Sequence, residues 1–320
     1  MNPIRTAGAD ARSSGSSIRR FAAQWQMQSM IWPGMIFIVL FSYIPMWGII
    51  IAFKEYDIFQ GFAGSPWVGL KQFRLFFQSP DFAMVMKNTL IVALLKLAFI
   101  FPAPIALALM LNEVRLAVFK RIVQTMTYLP HFISWVIVSG LVFSILSVES
   151  GSLNVLLQKL GLIERPVNWL SIPDYFYAIL ISSGLWKEVG FGSIVYLAAI
   201  AGVNPHLYEA AAMDGAGRLR QIFSVTLPTI APVVTIFLIL HIGSLLNAGF
   251  EDILVLTNGG KNAILREVSE VLDTYVYNVG VNQQRYSFAT AAGLFKSAVN
   301  VLLLWGANAL ARKVGGSSLW

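Results

Sequence analysis

Apolar residues run along this chain in long blocks separated by short polar stretches. Six blocks approach or exceed the about 20 residues that a helix needs to cross a bilayer: 30–53, 88–111, 131–147, 175–201, 229–250 and 288–310. The pattern predicts an all-α membrane protein of six transmembrane helices. The block 131–147 is the shortest, and its helix is expected to begin near Met126 with a kink at Pro130. Pro45, Pro102 and Pro104 predict further bends, which membrane helices accept where neighbours satisfy the freed carbonyls.

Between the fourth and fifth blocks lies the one long stretch of small and polar residues, PHLYEAAAMDGAGRLRQIFSVTLP, from Pro205 to Pro228. Asn204 is placed to cap a helix whose first turn accepts Pro205, because that position has no intrahelical N–H bond to lose. The run Glu209-Ala210-Ala211-Ala212 favours a short helix with little side-chain bulk, and Gly215 and Gly217 are expected to end it through backbone angles that other residues avoid. Such a helix offers one carboxylate and a flat alanine surface. It suits insertion into a groove on a partner better than it suits catalysis.

Composition agrees with the block pattern. Of 320 residues, 57% are hydrophobic and 12% charged, too few polar groups to cover a soluble globule of this size. With no cysteine, disulfides and thiolate chemistry are excluded. A net charge of +7 raises nucleic acid as a partner, but the basic residues are spread between apolar blocks and form no stripe, so nucleic acid is excluded. Membrane orientation explains them. The termini and the segments that share their side carry eleven basic residues against four acidic ones, whereas the opposite connections carry nine against eleven. By the positive-inside rule both termini and the Glu209 stretch are cytoplasmic.

The organisation expected is a cytoplasmic segment over 1–29, a six-helix domain over 30–312 with a loop at 202–228, and a cytoplasmic tail over 313–320. Residues 1–17 lack apolar periodicity and are expected to be disordered. Ile18, Phe21, Ala22 and Trp25 recur at helical spacing, either as an interfacial helix at the lipid surface or as an extension of the first span. The outer connections 54–87, 148–174 and 251–287 carry Trp67, Trp169, Tyr275 and Tyr277, which read either as a cap that receives a soluble partner or as anchors at headgroup level.

No phosphate-binding GxxxxGK[ST] run is present: Gly259-Gly260-Lys261 lacks the first glycine at the right spacing and is followed by Asn262. The histidines His131, His206 and His241 lie far apart in the expected topology, so no metal or catalytic triad is predicted.

Glu209-Ala210-Ala211, Asp214-Gly215, Ile222 and Leu227-Pro228 resemble the EAA signature of permease subunits of binding-protein-dependent ABC importers. Asn112-Glu113, Tyr128-Leu129-Pro130-His131, Tyr196-Leu197-Ala198-Ala199 and Asp273-Thr274-Tyr275 extend the likeness to a carbohydrate-importing branch, and within it to the subgroup for aldouronates and alginate. The resemblance implies a type I importer fold, with Glu209, Ala210, Ala211, Asp214, Gly215, Leu227 and Pro228 forming a cytoplasmic coupling helix that docks on an ATPase. It also implies a second and different permease chain, two ATP-binding subunits that carry Mg-ATP, an extracytoplasmic solute-binding protein and a saccharide substrate, in a cell inner membrane. This chain would bind no cofactor of its own. It lacks the extra spans and large outer domain of the maltose-type permease, so only the coupling positions are carried over.

Lys96, Lys187, Glu188 and Lys296 interrupt apolar blocks, where a charge costs about 2.5–3.5 kcal/mol on insertion scales and needs a partner or a wet cavity. Lys96 and Lys296 each lie eight residues inside their blocks and so share a depth. They would favour an acidic sugar, with Glu188 paired to one of them; the alternative is a purely structural pairing. Trp186, Tyr196, His241, Asn247 and Phe250 supply the aromatic faces and hydrogen-bonding groups that pyranose rings require, and are candidates for the same path, with core packing as the alternative. A different class of function, a proton- or ion-coupled secondary transporter, would use Lys187 and Glu188 as a relay; the chain shows no inverted repeat that would favour it.

Overall fold

A computed structural model describes residues 25–313 and 317–320. The stretch around Ile18–Phe21 lies outside the described residues. Among them there is no named strand, and the long elements are helices: α1 (Gln28–Phe53), α3 (Phe82–Glu113), α7 (Pro173–Ala201), α9 (Arg218–Gly243) and α12 (Tyr286–Lys313), with the bent pair α4 (Ala117–Phe132) and α5 (Trp135–Leu146). Shorter helices are α2 (Lys71–Phe77), α6 (Ser152–Lys159), α8 (Pro205–Met213), α10 (Glu251–Leu256) and α11 (Leu272–Tyr277). The described residues form two units divided at Ile50. The first holds most of α1, which is apolar on every side.

The prolines act differently from simple kinks. Pro45, Pro102 and Pro228 each follow by two residues a single π turn, at Val39–Tyr43, Lys96–Ile100 and Ile222–Thr226. Proline removes one N–H and crowds the carbonyl four residues before it. The wider π turn contains that carbonyl each time, so the helix absorbs the defect by local unwinding. At Pro130 the outcome is larger: α4 tightens to 3-10 winding over Leu129–Phe132, stops at Ile133, and α5 leaves at 105°. The expected kink in the third span is therefore a break. Ser134 starts the new helix, its hydroxyl facing the Ile137 N–H at 3.4 Å.

α7 is the element against which α3, α4 and α9 pack. Its glycines permit this. Gly184 and Gly192 face Ile100 and Pro104 of α3 at distances that leave no room for a β-carbon, and at Gly190 a methyl would overlap the Thr127 carbonyl of α4. Small residues that let backbones meet are the usual device for packing helices in lipid, where apolar burial gives no drive of its own.

The fourth and fifth connections differ from expectation. α9 begins at Arg218 and ends at Gly243, eleven residues earlier than the apolar block suggested at its start, so Leu227 and Pro228 lie inside a helix and the loop is confined to 202–217. The stretch 251–287 is a packed segment and not an open loop: Ile253, Leu256, Leu265 and Val271 join Val92 and Ala93 of α3 and Phe176 and Leu180 of α7 in one core cluster. Two side chains of α3 seat it. Asn88 donates to the Glu267 and Glu270 carbonyls at 2.9 and 3.1 Å, and Thr89 Oγ1 accepts from the Leu272 N–H at 2.8 Å. At its edge Arg266 meets Asp81 and Glu270 at 3.0 and 2.7 Å. Burial works against the guanidinium charge, but the two carboxylates outweigh it and raise its pKa above the usual arginine value.

Gly190→Ala is expected to lower the melting temperature in detergent, by about 1–3 kcal/mol of overpacking. Gly140→Ala, a helical position with open space, is expected to leave it unchanged or raise it.

Candidate functional site

The EAA helix is built as its sequence predicts at the front and is tighter at the back. Asn204 Oδ1 accepts from the His206 N–H at 3.0 Å, and Pro205 occupies the first turn of α8. At the end Gly215 takes φ +77°, and the Gly215 and Ala216 N–H groups return to the Ala212 and Ala211 carbonyls at 3.0 and 2.9 Å. This closure requires a left-handed residue, which glycine supplies without a Cβ penalty. Gly217 differs from expectation: at φ −68° it is ordinary extended backbone that starts α9.

Glu209, Ala210, Asp214 and Gly215 are exposed and Ala211 is half-buried. Leu207, Met213, Leu219 and Phe223 are exposed around them, with Met213 at 89%. The outer surface of α8 is therefore apolar with one carboxylate, and Glu209 is held by His206 at 3.0 Å. The base of α8 is fixed. Tyr208 Oη meets Thr226 Oγ1 at 2.9 Å, and Tyr208 and Leu227 pack with Ala108, Tyr196, Ile200, Val203 and Ile230. Arg218 reaches Glu113 at the end of α3, 2.6 Å away. Leu227 and Pro228 thus belong to the base of the element, directly after the π turn of α9, and stand apart from its exposed tip.

The lysines that interrupt the apolar blocks, Lys96, Lys187 and Lys296, are each partnered. Lys187, 5% exposed, donates to the His131 and Ile133 carbonyls at 2.6 and 2.8 Å, the groups that the break between α4 and α5 releases. Its neighbour Glu188 accepts from or donates to nothing on Lys96 or Lys296; it meets His131 Nδ1 at 2.9 Å, and the His131 ring lies flat on Phe191 at 3.9 Å. Lys96 pairs with Asp252 of α10 at 2.5 Å and Lys296 with Asp273 of α11. Glu188 thus pairs with neither lysine; each lysine has a carboxylate of its own, as the structural alternative expected. Both carboxylates had been counted in an outer connection. The signal that could have found them is the pair of short apolar runs around Ile253–Leu256 and Val271–Val279, too short to span and too apolar for a loop.

Three candidates do meet. Lys96, His241 and Asn247 line one cleft of about 190 Å³ between α3 and the end of α9, together with Ser244 and Ala248. His241 is edge-on to Phe101 at 5.1 Å, and Asn247 accepts from Asn300 of α12 at 3.1 Å. Tyr196 is core, 5% exposed and edge-on to Phe237, so its packing alternative holds. Trp186 lies elsewhere, on an apolar groove of about 560 Å³ between α5 and α7. Phe250 packs edge-on to Tyr277.

A helical membrane scaffold with an exposed EAA helix tied to three spans is the architecture of an importer's membrane subunit. Residues 98–316 match the family described as binding-protein-dependent transport system inner membrane component, and the chain belongs to that family. It is 50% identical over 291 residues to the polygalacturonan/rhamnogalacturonan transport system permease protein YteP of Bacillus subtilis (strain 168), covering 91% of this chain and 89% of that one. Protein LplB of the same organism is 46% identical over 90% of this chain and 89% of its own. Among solved structures, a chain of a bacterial alginate ABC transporter in complex with an alginate pentasaccharide-bound periplasmic protein superposes with a TM-score of 0.85 at 41% identity, covering 95% of this chain and 99% of that one. The protein is thus a permease subunit and not itself an enzyme, and membership of this family sets the secondary-transporter alternative aside.

Lys187→Met is expected to lower thermal stability strongly, since two hydrogen bonds to a charged donor are worth about 1.5–3 kcal/mol each. For the Lys96–Asp252 pair, Lys96→Met alone is expected to cost about 3–5 kcal/mol by stranding a buried carboxylate, and the double variant Lys96→Met/Asp252→Leu to recover most of it. Additive losses in a thermal double-mutant cycle would contradict the coupling.

Proposed function

We propose that this chain is one of two different permease subunits of a type I importer that passes an acidic oligo- or polysaccharide from an extracytoplasmic binding protein to the cytoplasm by alternating access. The carrying observation is the near-complete overlap with permease chains whose own names specify alginate and polygalacturonan, both polymers of uronic acids. Two further ATP-binding subunits hold Mg-ATP and dock on α8, where exposed Leu207 and Met213, with Leu219 at the start of α9, form an apolar surface that fits a protein groove. Both termini and α8 lie on the cytoplasmic side. The excess of basic residues there supports this, and it persists when Asp252 and Asp273, partners of lysines inside the spans, are left out of the opposite count, which then carries nine basic and nine acidic residues.

Closure of the ATPases would carry α8 with them. Because α8 is bonded to α9 through Tyr208–Thr226 and α9 to α3 through Arg218–Glu113, the motion reaches both helices that wall the Lys96–His241–Asn247 cleft. Lys96 keeps its charge balanced by Asp252, and its remaining N–H donors are available to sugar hydroxyls or carboxylates on the cleft side. Trp186, Glu188 and Lys296 lie outside that cleft and act, in this reading, as framework.

Glu209→Lys and Gly215→Pro are expected to abolish ATP hydrolysis stimulated by loaded binding protein while the chain still inserts and assembles. Normal stimulation would count against the docking of α8. In reconstituted uptake, Lys96→Arg is expected to retain acidic oligosaccharide transport better than Lys96→Gln, and a neutral oligosaccharide is expected to be a poor substrate for the unaltered complex; equal rates for acidic and neutral sugars would remove the acidic assignment.

A further inference from the structure

Between α1 and α2 the chain forms an arm, residues 54–67, whose chemistry matches neither a water-exposed loop nor a core element. Its base is a bridge of antiparallel backbone between Lys54 and Trp67, extended by the Glu55 N–H to the Pro66 carbonyl and the Val68 N–H to the Phe53 carbonyl, both at 2.9 Å. Its tip is apolar. Ile58, Phe59 and Phe62 are exposed, Phe59 at 96%.

Exposed apolar side chains on a floppy loop would mean little, but this arm is stiff. Asp57 Oδ1 accepts from the Phe59 and Gln60 N–H groups at 2.7 and 3.3 Å, and the Asp57 carbonyl accepts from Gly61 at 2.9 Å. Gly61 turns the chain at φ +64°. Ser65 Oγ takes the Asp57 N–H at 3.0 Å and donates to the Gly61 carbonyl at 2.6 Å, while Lys54 Nζ donates to the Phe62 carbonyl at 2.5 Å. The N–H groups of Gly64 and Ser65 return to Gln60 and Gly61. The polar groups of the turn are thus largely satisfied within the arm, which is the condition for leaving water.

The depth of the arm is fixed by α12. The Tyr56 N–H donates to Ser287 Oγ at 2.8 Å, and the Tyr56 ring meets Tyr286 edge-on. Those are the first two residues of a membrane-length helix. Phe59, three residues on, lies at most roughly 10 Å from that level, and less in a folded turn, against a headgroup layer of roughly 5–8 Å on each face of a bilayer. At the base Trp67 stacks on Phe53 at 5.8 Å, and Lys71 pairs with Glu55 at 2.8 Å. Aromatic and charged residues at the margin, with an apolar tip beyond them, are the arrangement of an interfacial anchor.

We propose that the arm 54–67 is a lipid anchor, with Ile58, Phe59 and Phe62 seated among the headgroups and upper acyl carbons of the leaflet opposite α8. The occupant is the phospholipid surface, continuous with the lipid that surrounds the spans; the competing occupant is the binding protein. Because this chain has no cysteine, Phe59→Cys gives it a single thiol for a spin label, and labelling of the complex with the unaltered chain measures the background from other subunits. In the assembled transporter in phosphatidylglycerol and phosphatidylethanolamine vesicles without binding protein, collision with oxygen is expected to exceed collision with a water-soluble nickel chelate at position 59, and the ratio to be several-fold above that of the exposed reference Glu164→Cys. A label at 59 that is as open to nickel as the reference overturns the proposal, and its shielding on addition of binding protein would then assign the arm to that protein. A second site, Ile58→Cys, is read in the same way.

Discussion

A cation taken out of water has to be met by the protein, and in this chain each such meeting fixes a non-local feature of the fold. Lys187 meets two carbonyls freed where α4 ends, and so makes a broken span possible. Lys96 and Lys296 meet carboxylates on α10 and α11, and so hold a short, non-spanning segment among helices that cross the membrane. The lysines are thereby structural ties, and Lys96 alone of them also lines a cleft.

The carboxylate ties and the core cluster turn the stretch after α9 from a connection into part of the scaffold. Asn88 and Thr89 complete the attachment by supplying the hydrogen bonds that an irregular backbone needs when it is buried. On the other side of the protein α8 shows the reverse design. Its base is bonded and packed, whereas its tip leaves Met213 almost wholly uncovered. A rigid base under an open apolar tip transmits a push without absorbing it.

The sequence made visible what depends on local pattern. Blocks of apolar residues gave the spans, Asn204-Pro205 gave the start of α8, and Gly215 gave its end, because capping and left-handed turns depend on residues adjacent in the chain. The EAA residues were legible for the same reason. Partners of buried charge were not: Asp252 is 156 residues from Lys96, and nothing local joins them. The extent of the break at Pro130 also escaped, since proline specifies a missing N–H and leaves the angle to whatever captures the carbonyls; here that is a lysine 54 and 56 residues away. Gly217 misled for a different reason, as glycine also occurs where no special angle is needed.

At Gly190 the absence of a side chain brings the backbone of α7 against the Thr127 carbonyl of α4. A crossing with nothing between two main chains leaves no side chain to slide past, and any tilt of α4 on α7 would pivot there. The arm from Thr127 to the Ala117 end is ten residues, about 15 Å of helix, and the arm to Phe132 is half as long. A swing applied at the Ala117 end would arrive beside His131 at about half its amplitude and with mechanical advantage.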